Sequence, residues 1–372
     1  MSKIHIALLG REPLPAFYPL VEEKPDKVFI LCTAENKDIA LRLQNAIKLL
    51  GNETFSCEAL PYVVEAFNIK TVIDTCQNIH KSYPARNTFT YNITGGTKLM
   101  AIGAYSVARE YGATVIYTDS KKYVDLSTYD EKPLACRLGA MAIFTLQGQQ
   151  VKSYTIYQSD QPTIDCAHQI MEYVKKYAKY HNRLMKDYVS WKGNTPSHWT
   201  EGNIECACSN GHVEVNLDGE NILGIEHPKA KMLLFEGRWW EILTAQTIWK
   251  WASGKYEIWH DVKFQPQSID PHHPNNDKNE VDLLFDIGNT IVFVECKSGN
   301  ITQDNIYKMD FIRKTYGSDK SRSVLVSFYP VRKELLEKAK EAKIDVIYGS
   351  KTHPALNQIT KKLNNILNSI KA

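Results

Sequence analysis

The 372-residue chain has no apolar run approaching the ~18 residues that a bilayer-spanning helix needs. A membrane is therefore not among its expected partners. It also has little excess charge, because a formal +3 at neutral pH is too small to announce nucleic-acid binding by composition. The short apolar stretch Met1–Gly10 lacks a signal peptide's cleavage pattern and reads as a first strand. The eight cysteines are scattered, several in strand-like contexts such as Cys32 and Cys296, which suits reduced thiols in a cytoplasm. The length allows two or three domains, each with its own core.

The most informative stretch that is present runs from Asn279 to Lys297, two apolar strands around Gly288-Asn289. Glycine in the first of two turn positions signals a type II′ hairpin. Counting outward from an Ile287–Thr290 pair sets Asp282 opposite Glu295 and Glu280 opposite Lys297, all on one face of the sheet. Opposed residues have Cβ atoms roughly 5 Å apart, so two facing carboxylates destabilise a sheet unless something positive lies between them. A divalent cation would meet that need. The alternative is a solvated outer face, but Val281, Leu283, Phe285, Val292 and Val294 read as interior strand.

Residues 1–148 alternate strand and helix: strands at Ile4–Leu9, Val28–Cys32, Thr54–Leu60, Thr88–Ile93 and Thr114–Tyr117, helices at Asp38–Leu50, Ile69–His80 and Lys98–Tyr111. That rhythm predicts a parallel sheet covered on both faces, with ligands beyond the carboxyl ends of the strands. The loops there are Gly10-Arg11-Glu12-Pro13-Leu14, Thr33-Ala34-Glu35-Asn36 and Thr94-Gly95-Gly96-Thr97-Lys98. In the last, two glycines permit close backbone approach and a helix start near Thr97 aims free N–H groups at the same place. It fits neither the Walker spacing nor Gly-x-Gly-x-x-Gly, and a tight turn with a threonine cap is the plain alternative.

Residues 149–230 read as a connecting α+β module. It has one long helix from Ile164 to Tyr188 and a hairpin from His212 to Ile225 turning at Asp218-Gly219. Cys206 and Cys208 with His212 lack a fourth zinc ligand and read as incidental, and Lys175, Lys176, Lys179 and Lys186 read as a solvated helix face. Residues 231–372 continue with a helix from Trp239 to Trp251, a strand from Tyr256 to Phe264, the polar loop carrying His272 and His273, and then the hairpin. Helices at Ile301–Tyr316 and Arg332–Ala342 alternate with strands at Ser323–Phe328 and Ile344–Ile347, and a last helix ends the chain. Glu241, heading an otherwise apolar helical stripe, is either a first-turn residue complementing the dipole or an inward ligand.

Two resemblances rest on these residues. Asn92-Ile93-Thr94-Gly95-Gly96-Thr97-Lys98-Leu99-Met100 after a Rossmann-like first strand resembles the ligand motif of the CRISPR-associated Rossmann-fold, or CARF, sensor domains. The resemblance implies a homodimer binding a cyclic oligoadenylate, cyclic tetra-adenylate, across its two-fold axis. Thr94, Gly95, Gly96, Thr97 and Lys98 would hold phosphates or riboses, Gly10, Arg11, Glu12, Pro13 and Leu14 would line the pocket, and Thr33, Ala34, Glu35 and Asn36 would form a third wall.

Glu241, Glu280-Val281-Asp282 and Glu295-Cys296-Lys297, in that order of elements, resemble the PD-(D/E)xK nuclease superfamily. This implies Mg²⁺ or Mn²⁺ held by Asp282 and Glu295, with the Cys296 carbonyl and Glu241 completing the shell. Lys297 would stabilise the attacking hydroxide or the phosphorane, and Glu280 would either tune Lys297 or touch the metal. A substrate contact for His272 and His273 competes with a plain exposed loop.

Together the two halves resemble the ancillary effector nucleases of type III CRISPR systems. The implied activity is dimeric, metal-dependent and switched on by cyclic tetra-adenylate, acting on single-stranded DNA or RNA or nicking supercoiled plasmid DNA. A restriction- or repair-type nuclease without an activator, and a nucleotide-sensing regulator without catalysis, are the alternatives.

Overall fold

The computed structural model describes residues 1–50, 57–119, 122–191, 195–265, 280–318, 320–349 and 355–371. They form two compact units, Met1–Val151 and Lys152–Ala372. No helix among the described residues is long and apolar enough to cross a membrane.

The first unit contains, in order, β1 (Lys3–Leu8), α1 (Leu14–Glu23), β2 (Lys27–Cys32), α2 (Lys37–Leu50), β3 (Glu58–Val63), α3 (Ile69–Lys81), β4 (Thr88–Asn92) and α4 (Lys98–Glu110). It ends with β5 (Thr114–Thr118), β6 (Lys122–Asp125), β7 (Glu131–Pro133) and α5 (Ala140–Gln147). The sheet order is β3-β2-β1-β4-β5-β6-β7. Near-continuous apolar runs make β1 and β2 interior strands, with Ile6, Leu8, Ile30 and Leu31 fully buried.

The chain winds outward from β1 to β3, then crosses back to β4 on β1's other side, so the switch point of this sheet lies between β1 and β4. The expected parallel pairing holds through β5; β6 and β7 add in antiparallel fashion, because the chain doubles back too soon after β5 for a crossover. Helix α1 was not anticipated, since two prolines obscure its period, yet it buries Leu14, Phe17 and Leu20. The strand expected from Thr54 begins at Glu58; residues 51–56 lie outside the described residues.

The second unit opens with β8 (Val151–Ile156), α6 (Gln161–Lys176) and α7 (Ala178–Ser190). Strands β9 (His198–Glu201), β10 (Ile204–Ser209), β11 (His212–Leu217) and β12 (Glu220–Glu226) form an antiparallel sheet. Then come α8 (Ala230–Phe235), α9 (Arg238–Ala252), β13 (Ile258–Phe264), β14 (Glu280–Ile287), β15 (Thr290–Lys297) and α10 (Gln303–Tyr316). The chain closes with β16 (Arg322–Ser327), α11 (Lys333–Glu341), β17 (Ile344–Tyr348) and α12 (Ala355–Lys371). The larger sheet has the order β17-β16-β15-β14-β13-β8.

The helix expected as one piece from Ile164 to Tyr188 is two, because Tyr177 leaves helical geometry at φ −120°. The segment expected as a connecting module shares a single core with the C-terminal elements of its unit: Ile164, Ile204 and Val213 lie in one buried cluster with Trp240, Phe285 and Val294. The β14–β15 turn pairs Ile287 with Thr290 as counted. It is not type II′, however: Gly288 and Asn289 both have positive φ, 56° and 69°, the signature of type I′, which asparagine tolerates almost as well as glycine.

Candidate functional site

Strand β15 is buried along nearly its whole length, antiparallel to β14 and parallel to β16. Its pairing with β14 runs from Ile287–Thr290 to Leu283–Val294, and just beyond it the Asp282 carboxyl feels the charge of Glu295. Helix α9 reaches the same place through Gly237, whose φ is 75° and where a Cβ would overlap the Ser298 hydroxyl. Glycine suits this left-handed position and leaves room for the Ser298 side chain beside the start of α9.

The result is a cleft of about 820 Å³. It is lined by Arg238, Glu241, Glu280, Asp282, Glu295 and Lys297, and by Lys308 from α10. Glu295, 1% exposed, receives Lys297 Nζ at 2.7 Å and Lys308 Nζ at 2.8 Å. Asp282 accepts the Cys296 N–H at 2.6 Å. Glu241 is held by Arg238 at 2.7 Å, and Arg238 also grips Asp261, whose other oxygen faces His260 Nδ1 at 3.0 Å.

The electrostatics describe carboxylates whose charges oppose one another, with Glu295 buried and Asp282 and Glu241 half-buried. Burial raises the Asp282 carboxyl well above the ordinary range, and the charges of Glu295 and Glu241 push it further. Burial also raises Glu241, against the pull of Arg238. For Lys297 burial acts downward, but Glu295 and Asp282 outweigh it and leave the ammonium raised. Asp261 goes the other way, down to about 2, through its hydrogen bond to His260 and, despite burial, the one to Arg238.

Among the described residues no three His, Cys, Asp or Glu side chains already converge as a ligand set. Ammonium and guanidinium groups stand on Glu295 and Glu241 instead. The donor chemistry nevertheless fits a hard divalent cation, which takes carboxylate oxygens and would relieve the opposition around Asp282.

That opposition is testable through stability. A carboxyl raised in the folded state contributes stability below its unfolded pKa, and the contribution is lost as pH rises through the folded value. In EDTA, Asp282→Asn is therefore expected to raise Tm clearly at about pH 8 and far less at about pH 5. Mn²⁺ should raise the Tm of the wild type more than that of the variant. A variant melting below wild type at the higher pH would remove the electrostatic argument.

Glu280, counted as the partner of Lys297, instead meets Lys263 on β13 at 3.6 Å. Lys297 is taken by its neighbour on the same strand. His272 and His273 lie outside the described residues. Cys206 and Cys208 sit 3.7 Å apart on β10, while His212 faces Glu214 at 3.6 Å. Sequence reasoning missed Arg238, Asp261 and Lys308. The first was readable as a residue three before Glu241 on one helix. The other two depend on tertiary placement.

In the first unit the three expected loops come after β1, β2 and β4. Gly10 and Gly95 touch: a Cβ on Gly10 would lie 3.2 Å from the Gly96 nitrogen, and one on Gly95 would overlap the Leu8 carbonyl. The threonine hydroxyls are engaged within the fold. Thr94 donates to Asn92 Oδ1 at 2.6 Å and accepts from the Thr118 N–H at 2.7 Å. Thr97 donates to the Ala66 carbonyl at 2.5 Å and caps α4 by accepting from the Met100 N–H. Lys98 and Leu99 are first-turn residues whose N–H groups have no intrahelical acceptor. Gly96 and Lys98 are exposed, as are Arg11, Glu12, Ala34 and Glu35. Pro13 and Leu14 are buried, and Gly10, Thr33 and Asn36 are half-buried.

Residues 4–138 match the family model of the Card1 CARF domain, and residues 228–367 match that of the Card1-like endonuclease domain. The structure of Can2 from Sulfobacillus thermosulfidooxidans in complex with cyclic tetra-adenylate is similar to this one with a TM-score of 0.72. The two are 18% identical, over 98% of this chain and 99% of that one. Protein VC1899 from Vibrio cholerae gives a TM-score of 0.71 at 14% identity, over 99% of this chain and 98% of that one. A type III CRISPR defence DNA nuclease activated by cyclic oligoadenylate gives 0.60 at 16% identity, over 98% of this chain but 52% of that one. At such identities the structural likenesses establish the fold alone. No curated protein sequence matches. With residues 4–138 matched to a CARF domain and residues 228–367 to an endonuclease domain, in that order, the chain belongs to the Card1-like CARF nucleases.

Proposed function

We propose that this nuclease is a homodimer, dependent on Mn²⁺ or Mg²⁺, that cyclic tetra-adenylate switches on to cut nucleic acid with little sequence preference in type III CRISPR defence. The observation that carries the reading is that Asp282, Glu295 and Lys297 line one cleft with Glu241. Asp282, Glu295 and Glu241 would hold the metal, with the Cys296 carbonyl as a further oxygen. When bound, a divalent ion lowers the pKa of a water and neutralises charge on the phosphodiester.

The protein's own groups do the rest. Lys297, kept charged by Glu295 and Asp282, would stabilise the developing phosphorane charge. Lys308 approaches Glu295 from α10 and supplies a second ammonium to the same phosphate. Arg238, anchored on Asp261, fixes the rotamer of Glu241.

For the sensor half, support comes from the Gly10, Thr33 and Thr94 loops gathering at the ends of adjacent strands and from a face of α4 that its own unit leaves uncovered. Leu99, Ile102 and Tyr105 are 38%, 56% and 37% exposed at helical spacing. An isologous contact through that face would bring two copies of the same loops to one axis, as a ligand of repeated identical units requires. Ligand binding across the axis would then shift the population toward a cleavage-competent arrangement.

The test is a cleavage assay on single- and double-stranded DNA and RNA with Mn²⁺ and rising cyclic tetra-adenylate, run beside sedimentation. The expected result is a dimer whose cleavage rate climbs with activator. Equal rates at every activator concentration would leave a plain metal-dependent nuclease, and binding without cutting would leave a regulator.

A further inference from the structure

Helix α10 buries Ile306, Met309, Ile312 and Tyr316 against the sheet, which accounts for its packing. It then turns two aromatic rings outward: Tyr307 is 57% exposed and Phe311 is 52% exposed. They stand four residues apart, one turn of the same face. An ordinary solvated helix face carries polar residues there, and neither ring is needed for the core. Both line the cleft that holds Asp282, Glu295 and Lys297, and Lys308, the residue between them in register, places its ammonium 2.8 Å from Glu295.

We infer that Tyr307 and Phe311 form a stacking platform for the bases of an unpaired nucleic-acid strand, seated so that the adjoining phosphodiester meets Lys308 and the carboxylate cleft. The inference rests on the nuclease reading above and assigns the residues that seat the bases of its substrate. A flat ring offers any base the same π-face, so the contact is indifferent to sequence. In a duplex those base faces are covered by neighbouring pairs, and reaching the platform costs unstacking. The charge arrangement agrees, with ammonium groups beside the rings where a backbone phosphate would follow its stacked base. The Tyr307 hydroxyl accepts a hydrogen bond from Gln303 one turn earlier.

The experiment uses the full-length protein. Binding of a labelled oligonucleotide, single-stranded or as the duplex of the same sequence, is read by fluorescence anisotropy in EDTA. Cleavage is read in Mn²⁺ with cyclic tetra-adenylate. The Tyr307→Ala/Phe311→Ala double variant is expected to bind the single strand on the order of 10-fold or more weaker, with duplex binding unmoved. Its KM should rise on the single strand while kcat changes little, and Tyr307→Phe/Phe311→Tyr, which keeps both rings, should restore it.

Unchanged single-strand affinity in the double-alanine variant would overturn the platform, and so would an equal loss on both substrates. A change in its sedimentation from wild type would also overturn it, assigning the rings to a contact between copies. If the wild type cuts nothing, the nuclease reading falls, and the EDTA binding arm still decides the platform.

Discussion

Lys297→Ala is expected to lower cleavage by about 10²–10³-fold, the size seen when one preorganised donor to a developing oxyanion is removed. Its ammonium is the cleft's cation closest in sequence to both acids, and it is held at 2.7 Å by a carboxylate that is itself 1% exposed. Arginine should rescue poorly, because a planar fork cannot reproduce a compact point charge held by Glu295.

Glu295→Ala is expected to be at least as damaging to cleavage, and its effect on stability should differ. It leaves Lys297 and Lys308 facing each other without the anion they share. Losing one partner of a buried pair costs about 3–5 kcal/mol. Here the lysines keep 29% and 31% exposure, so the cost should fall below that range. Both variants should retain the Tm increment caused by cyclic tetra-adenylate, since the loops proposed to hold it belong to the first unit. Wild-type rates in both would move the chemistry to another part of the chain.

Gly95→Ala is the second large effect. The added methyl would overlap the Leu8 carbonyl oxygen and lie 2.8 Å from the Gly10 nitrogen, both backbone atoms at the end of β1. Neither can swing aside as a side chain would, so the loops after β1 and β4 must part. A displacement of about 1 Å in a preorganised site costs on the order of 10²-fold, and that loss is expected in the concentration of cyclic tetra-adenylate needed for half-activation.

Gly112→Ala is the control. It has φ of 65° but nothing within 4 Å of a Cβ, so it bears only a conformational penalty of about 1 kcal/mol and should respond to the nucleotide normally. Differential scanning fluorimetry with and without the nucleotide separates the two. An alanine at 95 that still binds with wild-type affinity would mean the ligand does not use this crevice.

Much of this was legible because local rules bear on it directly. A two-residue turn and a period of two set the β14–β15 register, which holds as counted from Ile287–Thr290 to Leu283–Val294. The alternation of strands and helices in the first 118 residues predicted the parallel part of the sheet and the side on which its loops gather.

The features that escaped were set by tertiary neighbours. Lys308 belongs to a helix whose pattern shows that residues 304, 308 and 311 share a face, but nothing in the sequence says that this face turns toward β15. Glu280 was assigned to Lys297 by counting one strand pair, whereas β13, on the other side of β14, offers Lys263. The break at Tyr177 leaves no composition signal, and two prolines hid α1.

Asp261 sits in the middle of β13 with φ of 53° and skips its ladder pairing, while His260 and Val262 on either side keep theirs with β14. Glycine would relax the backbone there but release Arg238. Glutamate would keep a carboxylate but resist the left-handed conformation, which only glycine, asparagine and aspartate visit routinely. Position 261 therefore meets two demands at once, a left-handed backbone and a carboxylate for Arg238, and aspartate satisfies both. A change there reaches Glu241 through Arg238, even though position 261 lies outside the acid and lysine signature by which such nucleases are recognised.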